Sequence, residues 1–191
     1  LMKSRHIPPP YCYRCPFDKD YPSCNVFCAQ YLERIIQYEG KETVAAFISE
    51  PVSGSSLGGM TPPTEYFQII RNICNEYGIL MIVDEVVTGF GRTGKNFGID
   101  HWKVIPDIIV TAKGMSSGYS PLGAIIIHEK VFEMFKSSRK ASFFTGYTYA
   151  GNALSCAVGL AVLNYIQSNG LVDRVDRMGK YLFEKFNTIN H

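Results

Sequence analysis

Two apolar runs that each end in a chargeable residue limit the possible folds of this chain more than any other feature. Residues 79–83, Ile-Leu-Met-Ile-Val, lead into Asp84 and Glu85, and residues 108–110, Ile-Ile-Val, lead through Thr111 and Ala112 to Lys113. Short continuous runs rich in β-branched residues read as strands buried on both faces, as in a parallel sheet between helices. In open α/β sheets ligands lie beyond the carboxyl ends of the strands, which directs Asp84 and Lys113 toward one crevice.

The flanking sequence supports an α/β alternation. Val26, Phe27, Ala29, Leu32, Ile35 and Ile36 fit an amphipathic helix from Ser23 to Glu39, with Gly40 as its stop. Thr43 to Ser49 reads as a buried strand that ends at Glu50 and Pro51, and a glycine-rich loop follows. Pro62 to Tyr77 reads as a helix with proline in its first turn and Gly78 as its stop. Beyond Lys113, Leu122 to His128 reads as a strand and Glu129 to Phe135 as a short helix. Phe143 to Asn152 is a loop rich in hydroxyl groups, and Ala153 to Gln167 is a mostly apolar helix. From Leu171 onward Val172, Val175, Met178, Leu182 and Phe186 share one helical face with Leu171. Helix, strand, loop, helix and strand in this order describe a parallel α/β sheet with right-handed crossovers.

Composition narrows the function classes. A chain of 191 residues that is 46% hydrophobic can bury a sizeable core, and a net charge of +2 spread along it gives no footprint for nucleic acid or an anionic membrane. No apolar stretch is long enough to span a bilayer, and the start lacks a signal peptide, so a cytoplasmic protein with reduced thiols is expected. Residues 1–23, rich in proline, tyrosine and cysteine, read as an irregular segment, and residues 24–191 as part of one larger α/β domain. The start has no helix or strand pattern and the end stops inside an apparent helix, so both look cut from a longer protein. Cys12, Cys15, Cys24 and Cys28 form a C-x2-C-x8-C-x3-C pattern that resembles paired metal thiolates. The second pair falls at a helix start, and free cysteine is a common small core residue, so structural thiols and no metal are expected.

The strand ends carry the chemistry. Gly89 to Gly94 matches G-x-G-x-x-G, but Asp84 and Glu85 stand between strand and glycines and would repel a pyrophosphate. A lysine amine is a useful nucleophile toward a carbonyl and forms a Schiff base with it, and Lys113 is placed for that role. Asp84 on the neighbouring strand could keep a proton on the pyridine nitrogen of a cofactor, making the ring an electron sink. Spacing alone gives equal weight to a buried Asp–Lys ion pair.

Four motifs in order resemble the class III, pyridoxal-phosphate-dependent aminotransferases: residues 82–94 around Asp84-Glu85-Val86, residues 106–114 around Lys113, residues 121–124, and Gly146 to Asn152. The resemblance implies the large domain of the fold type I transferases, a mostly parallel sheet flanked by helices, here incomplete. By that resemblance Lys113 is the Schiff-base and catalytic lysine, Asp84 the pyridinium partner and Val86 the residue packed on the ring. Thr148 matches the threonine that reaches the cofactor phosphate of the neighbouring subunit, which implies a homodimer. Glu50, in the Glu-Pro motif, would support the site. The expected substrates are an amine or ω-amino acid as donor and a 2-oxo acid as acceptor.

Departures from the family pattern matter as well. The upstream phosphate loop, the aromatic residue on the other cofactor face and the C-terminal domain with its substrate-binding arginine have no counterpart, so this piece alone is expected to be inactive. Ser55 stands where several glutamate-linked relatives carry an acid, and Val87 where many have glutamine. Both changes make the pocket less polar and favour an acceptor such as pyruvate. The rival reading is a non-catalytic α/β module that could bind metal through its N-terminal cysteines.

Overall fold

The computed structural model describes residues 4–137 and 146–189, so Phe143 to Thr145 of the hydroxyl-rich loop and the extreme ends fall outside the described residues. One four-stranded sheet in the order β1-β2-β3-β4 organises the chain: β1 (Ala46–Ser49), β2 (Leu80–Asp84), β3 (Ile108–Thr111) and β4 (Ala124–Ile127). β1 and β2 are parallel with Ser49 beside Val83, and β2 and β3 are parallel with Asp84 beside Val110. β4 departs from the expected alternation and pairs antiparallel to β3, with Thr111 beside Ala124. The cause is the connection: residues 112–123 hold only a short 3-10 turn at Lys113–Met115 and no crossover helix, so the chain can only double back.

Two helices cover one face of the sheet. α1 (Phe27–Glu39) and α2 (Tyr66–Tyr77) pack together and bury Leu32, Ile36, Phe67, Ile70 and Cys74 against Phe47, Met81 and Val83. Side chains alternate along a strand, and the opposite face of the same strands carries Ile48, which is 61% exposed, and Ile125, which is 60% exposed. The expected burial of the strands on both faces is therefore met on one face only. Both covering helices lie on that one face, and no described helix closes the other to the same degree.

The helix boundaries differ from the sequence reading for local reasons. α1 starts at Phe27 rather than Ser23 because Asn25 and Val26 both take left-handed backbone, at φ 50° and 53°. α2 starts at Tyr66, whose amide donates to Pro63 O, so the two prolines lie ahead of its first turn. Phe67 stacks edge-on against Trp102 at 5.0 Å, and the Trp102 indole donates to Pro63 O at 3.0 Å, which fixes the entry into α2. The irregular N-terminal segment lies on this core through Ile7 and Phe17, with Phe17 edge-on to Phe27 at 5.0 Å.

At the amino edge of β3, Asp107 ties four elements together. Its buried carboxylate accepts from Arg71 of α2 and from the Met81 amide of β2, both at 2.7 Å, and pairs with Lys130 at 2.9 Å. Burial alone would raise its pKa, but the Met81 amide, Arg71 and Lys130 together hold it below the usual carboxylate value.

The C-terminal helices are α3 (Glu129–Ser137), α4 (Ala153–Ser168) and α5 (Leu171–Asn187). Asn152 caps α4 by accepting from the Ser155 amide at 3.0 Å, and its facing residue Ser155 shares a hydroxyl bond with Ser120 at 2.8 Å. On α5 the expected apolar face exists, but Met178, Leu182 and Phe186 are more than half exposed. No described helix is long and apolar enough to cross a membrane.

Candidate active site

Because β1, β2 and β3 run parallel and in register, Glu50, Asp84 and Lys113 all emerge at one edge of the sheet. Asp84 is the last residue of β2 and is half-buried. Its Oδ1 accepts from the Val86 amide at 3.0 Å, while Oδ2 takes no hydrogen bond among the described residues. Glu50 follows β1 directly, and its Oε1 accepts from the Gly54 amide at 3.2 Å, which folds the glycine-rich loop back over the strand end.

Lys113 opens the 3-10 turn after β3 and is exposed. Its backbone sits at φ 39°, a left-handed conformation that costs a lysine about 1–3 kcal/mol and needs surrounding structure to hold it. The turn supplies that structure. Met115 N–H donates to Ala112 O at 3.0 Å, Ser116 N–H to Lys113 O at 3.2 Å, and the buried Ser116 hydroxyl to Ser120 O at 2.6 Å. None of the ion pairs among the described residues includes Lys113 or Asp84, so the buried Asp–Lys pair weighed from sequence is not formed. What remains at this edge is an amine and a carboxylate oxygen, both without a partner among the described residues, at adjacent strand ends.

Glu85 is the residue that sequence reasoning passed over. It is fully buried, and its carboxylate accepts from the Thr88 hydroxyl and from the amides of Gly98 and Ile99, the latter two at 2.8 Å. Gly98 is required there because a Cβ would stand 2.9 Å from Thr88 Cβ and 3.2 Å from Glu85 Oε2. The partners are backbone amides 13 and 14 residues away, which no side-chain pattern announces. The G-x-G-x-x-G stretch lies in the loop so anchored. Its Gly91 and Gly94 let α5 approach, since a Cβ on either would stand 3.0 Å from Val172 or Asp176.

Val86 is half-buried in the turn beside Asp84. Its neighbour Val87 packs on the glycine loop, where a Cβ on Gly54 would stand 3.2 Å from a Val87 methyl and 3.4 Å from Glu50 Oε1. Ser55 is the exposed residue that follows Gly54. Thr148 lies in an exposed turn closed by Ala150 N–H to Tyr147 O at 2.9 Å. No interaction among the described residues joins its side chain to Asp84 or Lys113.

The N-terminal cysteines come together differently from the strand ends. Cys12, Cys15, Cys24 and Cys28 line one small cavity with Phe17, and all are free thiols. Burial pushes the Cys28 thiol up to about 11, so it stays protonated as a small apolar residue. Among the described residues no three His, Cys, Asp or Glu side chains are grouped so as to hold a metal ion.

Over residues 3–191 the sequence matches the family profile described as Aminotransferase class-III. It is 42% identical over 187 residues to a diaminobutyrate–2-oxoglutarate transaminase of Halomonas elongata, covering 95% of this chain and 39% of that protein. It is 39% identical over 188 residues to an adenosylmethionine-8-amino-7-oxononanoate aminotransferase of Geobacter sulfurreducens, covering 97% of this chain and 41% of that protein. Among solved structures it superposes on a PLP-bound amine transaminase from an uncultivated Pseudomonas species with a TM-score of 0.86. There the identity is 39%, over 92% of this chain and 40% of the other. The chain thus spans about two fifths of the length of the relatives it matches.

Proposed function

The chain belongs to the class III aminotransferases, and from that premise we propose that the protein moves an amino group between an amine or ω-amino acid and a small 2-oxo acid, using pyridoxal phosphate. The observation that carries this reading is that Lys113 and Asp84 follow or end adjacent parallel strands on the same side of the sheet, with the Lys113 amine and Asp84 Oδ2 both without a partner among the described residues.

The residues present fit the ring end of the cofactor. Pyridoxal phosphate, when bound, supplies the electron sink that stabilises a carbanion at the substrate carbon. Asp84 Oδ2 would hold the proton at the ring nitrogen, while Oδ1 stays fixed by the Val86 amide. Val86 would pack on one ring face and keep water from it. Lys113 Nζ would hold the cofactor carbonyl carbon and, once displaced by the incoming amine, move the proton at the substrate carbon. Glu50 would brace the loop over the strand ends through the Gly54 amide.

The remaining assignments belong to the same proposal. Thr148, exposed and without a side-chain partner among the described residues, would serve the phosphate of a neighbouring subunit's cofactor, which makes the working unit a homodimer. We take residues 24–191 as part of the cofactor-binding large domain and residues 1–23 as its irregular cover. The six thiols, all free, suit the cytoplasm. The non-catalytic metal module finds no support in the described residues.

For the acceptor, neither Val87 nor Ser55 carries a carboxylate or an amide in its side chain to hold an arginine. Those two residues favour pyruvate over 2-oxoglutarate, even though the Halomonas relative is described as a 2-oxoglutarate transaminase. The test is a half-reaction assay on the complete holoenzyme in its aminated form, with pyruvate and 2-oxoglutarate offered separately. Amino transfer with a higher kcat/KM for pyruvate is expected. No transfer to any oxo acid would sink the function, and a clear preference for 2-oxoglutarate would sink the acceptor assignment alone.

A further inference from the structure

We propose that Glu85 is a positioning residue of the site, holding Asp84, Val86 and the Lys113 strand in their working relation. The proposal rests on the aminotransferase reading and concerns how the site is kept in shape, which that reading leaves open. Glu85 is fully buried, and each polar group it carries is engaged. Its N–H donates to Val110 O at 2.9 Å, and its C=O accepts from the Gly89 amide at 2.9 Å. Oε1 accepts from the Ile99 amide, and Oε2 from the Gly98 amide and the Thr88 hydroxyl.

These bonds act at two levels. The main chain of Glu85 fastens the end of β2 to β3, three residues ahead of Lys113. Its side chain closes the loop of residues 86–99 onto itself, and none of the described ion pairs includes it. A buried carboxyl group in that position is held by amide and hydroxyl donors alone, and each donor depends on the acceptor staying in place.

The link to chemistry runs through Val86. Its N–H is the donor that sets Asp84 Oδ1 at 3.0 Å, and it is the first residue of the turn that Glu85 closes. Side chains alternate at the strand end, so Asp84 faces the crevice while Glu85 faces the loop behind it. If the loop relaxes, the Val86 amide and side chain move together, and the Asp84 carboxylate loses its fixed orientation toward a ring nitrogen.

The test is Glu85→Gln in the complete holoenzyme, with Thr88→Val as a milder variant and Asp107→Asn as a control for lost stability at the far edge of the sheet. Gln keeps the size but turns one acceptor into a donor, so at least one of the Gly98 and Ile99 amides faces an N–H. Glu85→Gln is expected to raise the cofactor dissociation constant about tenfold, to change the pH dependence of the bound cofactor's visible absorbance, and to lower kcat more than it raises KM. Thr88→Val moves the same readouts less, and Asp107→Asn lowers Tm with the spectrum unchanged. A Glu85→Gln enzyme that melts lower yet keeps wild-type affinity and spectrum would make Glu85 purely structural and overturn the proposal. If that variant does not fold, Thr88→Val decides by the same readouts. A spectrum that responds to these substitutions in an enzyme unable to transfer an amine supports the positioning role and removes the aminotransferase reading instead.

Discussion

The two ends of the sheet are built from equally apolar sequence and have opposite fates. In residues 26–116, α1, α2 and one face of β1 to β3 bury a continuous core in which Phe67, Ile70 and Met81 lose all contact with water. From residue 117 onward Gly159 is the one buried residue among those described, although α4 is rich in alanine, leucine and valine. Leu160 is 61% exposed and Phe183 68%. Apolar content therefore measures a segment's demand for cover, not the cover it has. Lys113 lies at the seam: the strand ends behind it are rigidly backed, and the wall in front of it is open.

The sharpest test of that division is chemical. Lys113→Ala removes an exposed side chain at the seam, so it should leave Tm within a degree or two while transamination falls by roughly 10²–10⁴-fold or below detection. Lys95→Ala and Lys103→Ala, in exposed positions away from the strand end, should keep both activity and cofactor absorbance. Normal turnover by the Lys113 variant would remove the site from this edge altogether.

Next in size is a pair of truncations that weighs the two regions directly. Phe67→Ala, at full burial, should cost about 3–5 kcal/mol in chemical denaturation of the complete protein. Phe186→Ala, 60% exposed on α5, should cost within about 0.5 kcal/mol where that face stays in water. A loss above about 2 kcal/mol at Phe186 would mark a face that another segment or subunit covers, and would move the boundary of the core past the seam.

Parts of this arrangement were legible in the sequence because they obey local rules. β2 and β3 are apolar runs with a hard polar stop, and position at a strand end alone brought Asp84 and Lys113 together. The direction of β4 was not legible, since residues 112–123 are long enough for several connections and only their turn geometry decides. Nor was the open face: Ile48 and Ile125 have the same composition whether or not a helix lies over them. Glu85 escaped because two of its three side-chain partners are amides, which every residue but proline possesses.

A smaller effect is expected at Asp84 itself. Asp84→Asn preserves the bond to the Val86 amide, so the turn and the fold should stay intact. The rate should fall roughly 10- to 100-fold or more, because a neutral amide holds the ring proton less firmly than a carboxylate by about 1.4–3 kcal/mol. Steady-state kcat with an unchanged far-UV spectrum checks it, and wild-type turnover would reduce Asp84 to a structural acid.

The smallest effect concerns the backed end of the sheet and its dependence on pH. Asp107 has its folded pKa held below the unfolded value, because the Met81 amide, Arg71 and Lys130 outweigh its burial. Its contribution to stability is therefore fully present above the unfolded pKa, near ~3.9, and is lost as pH falls through the lower folded value. Raising the pH from neutral should leave it unchanged. Asp107→Asn should cost about 1–3 kcal/mol at pH 7, since the neutral amide leaves Arg71 buried without a counter-charge, and the gap to wild type should begin to narrow as pH falls below about 4. Lys130 is 62% exposed and its share should fade with salt, whereas the bond from Arg71, 11% exposed, should not. Urea titrations of both proteins at pH 3 and pH 7 check this. A gap that stays constant across that range would mean that packing at Asp107, not its charge, holds α2 to the sheet.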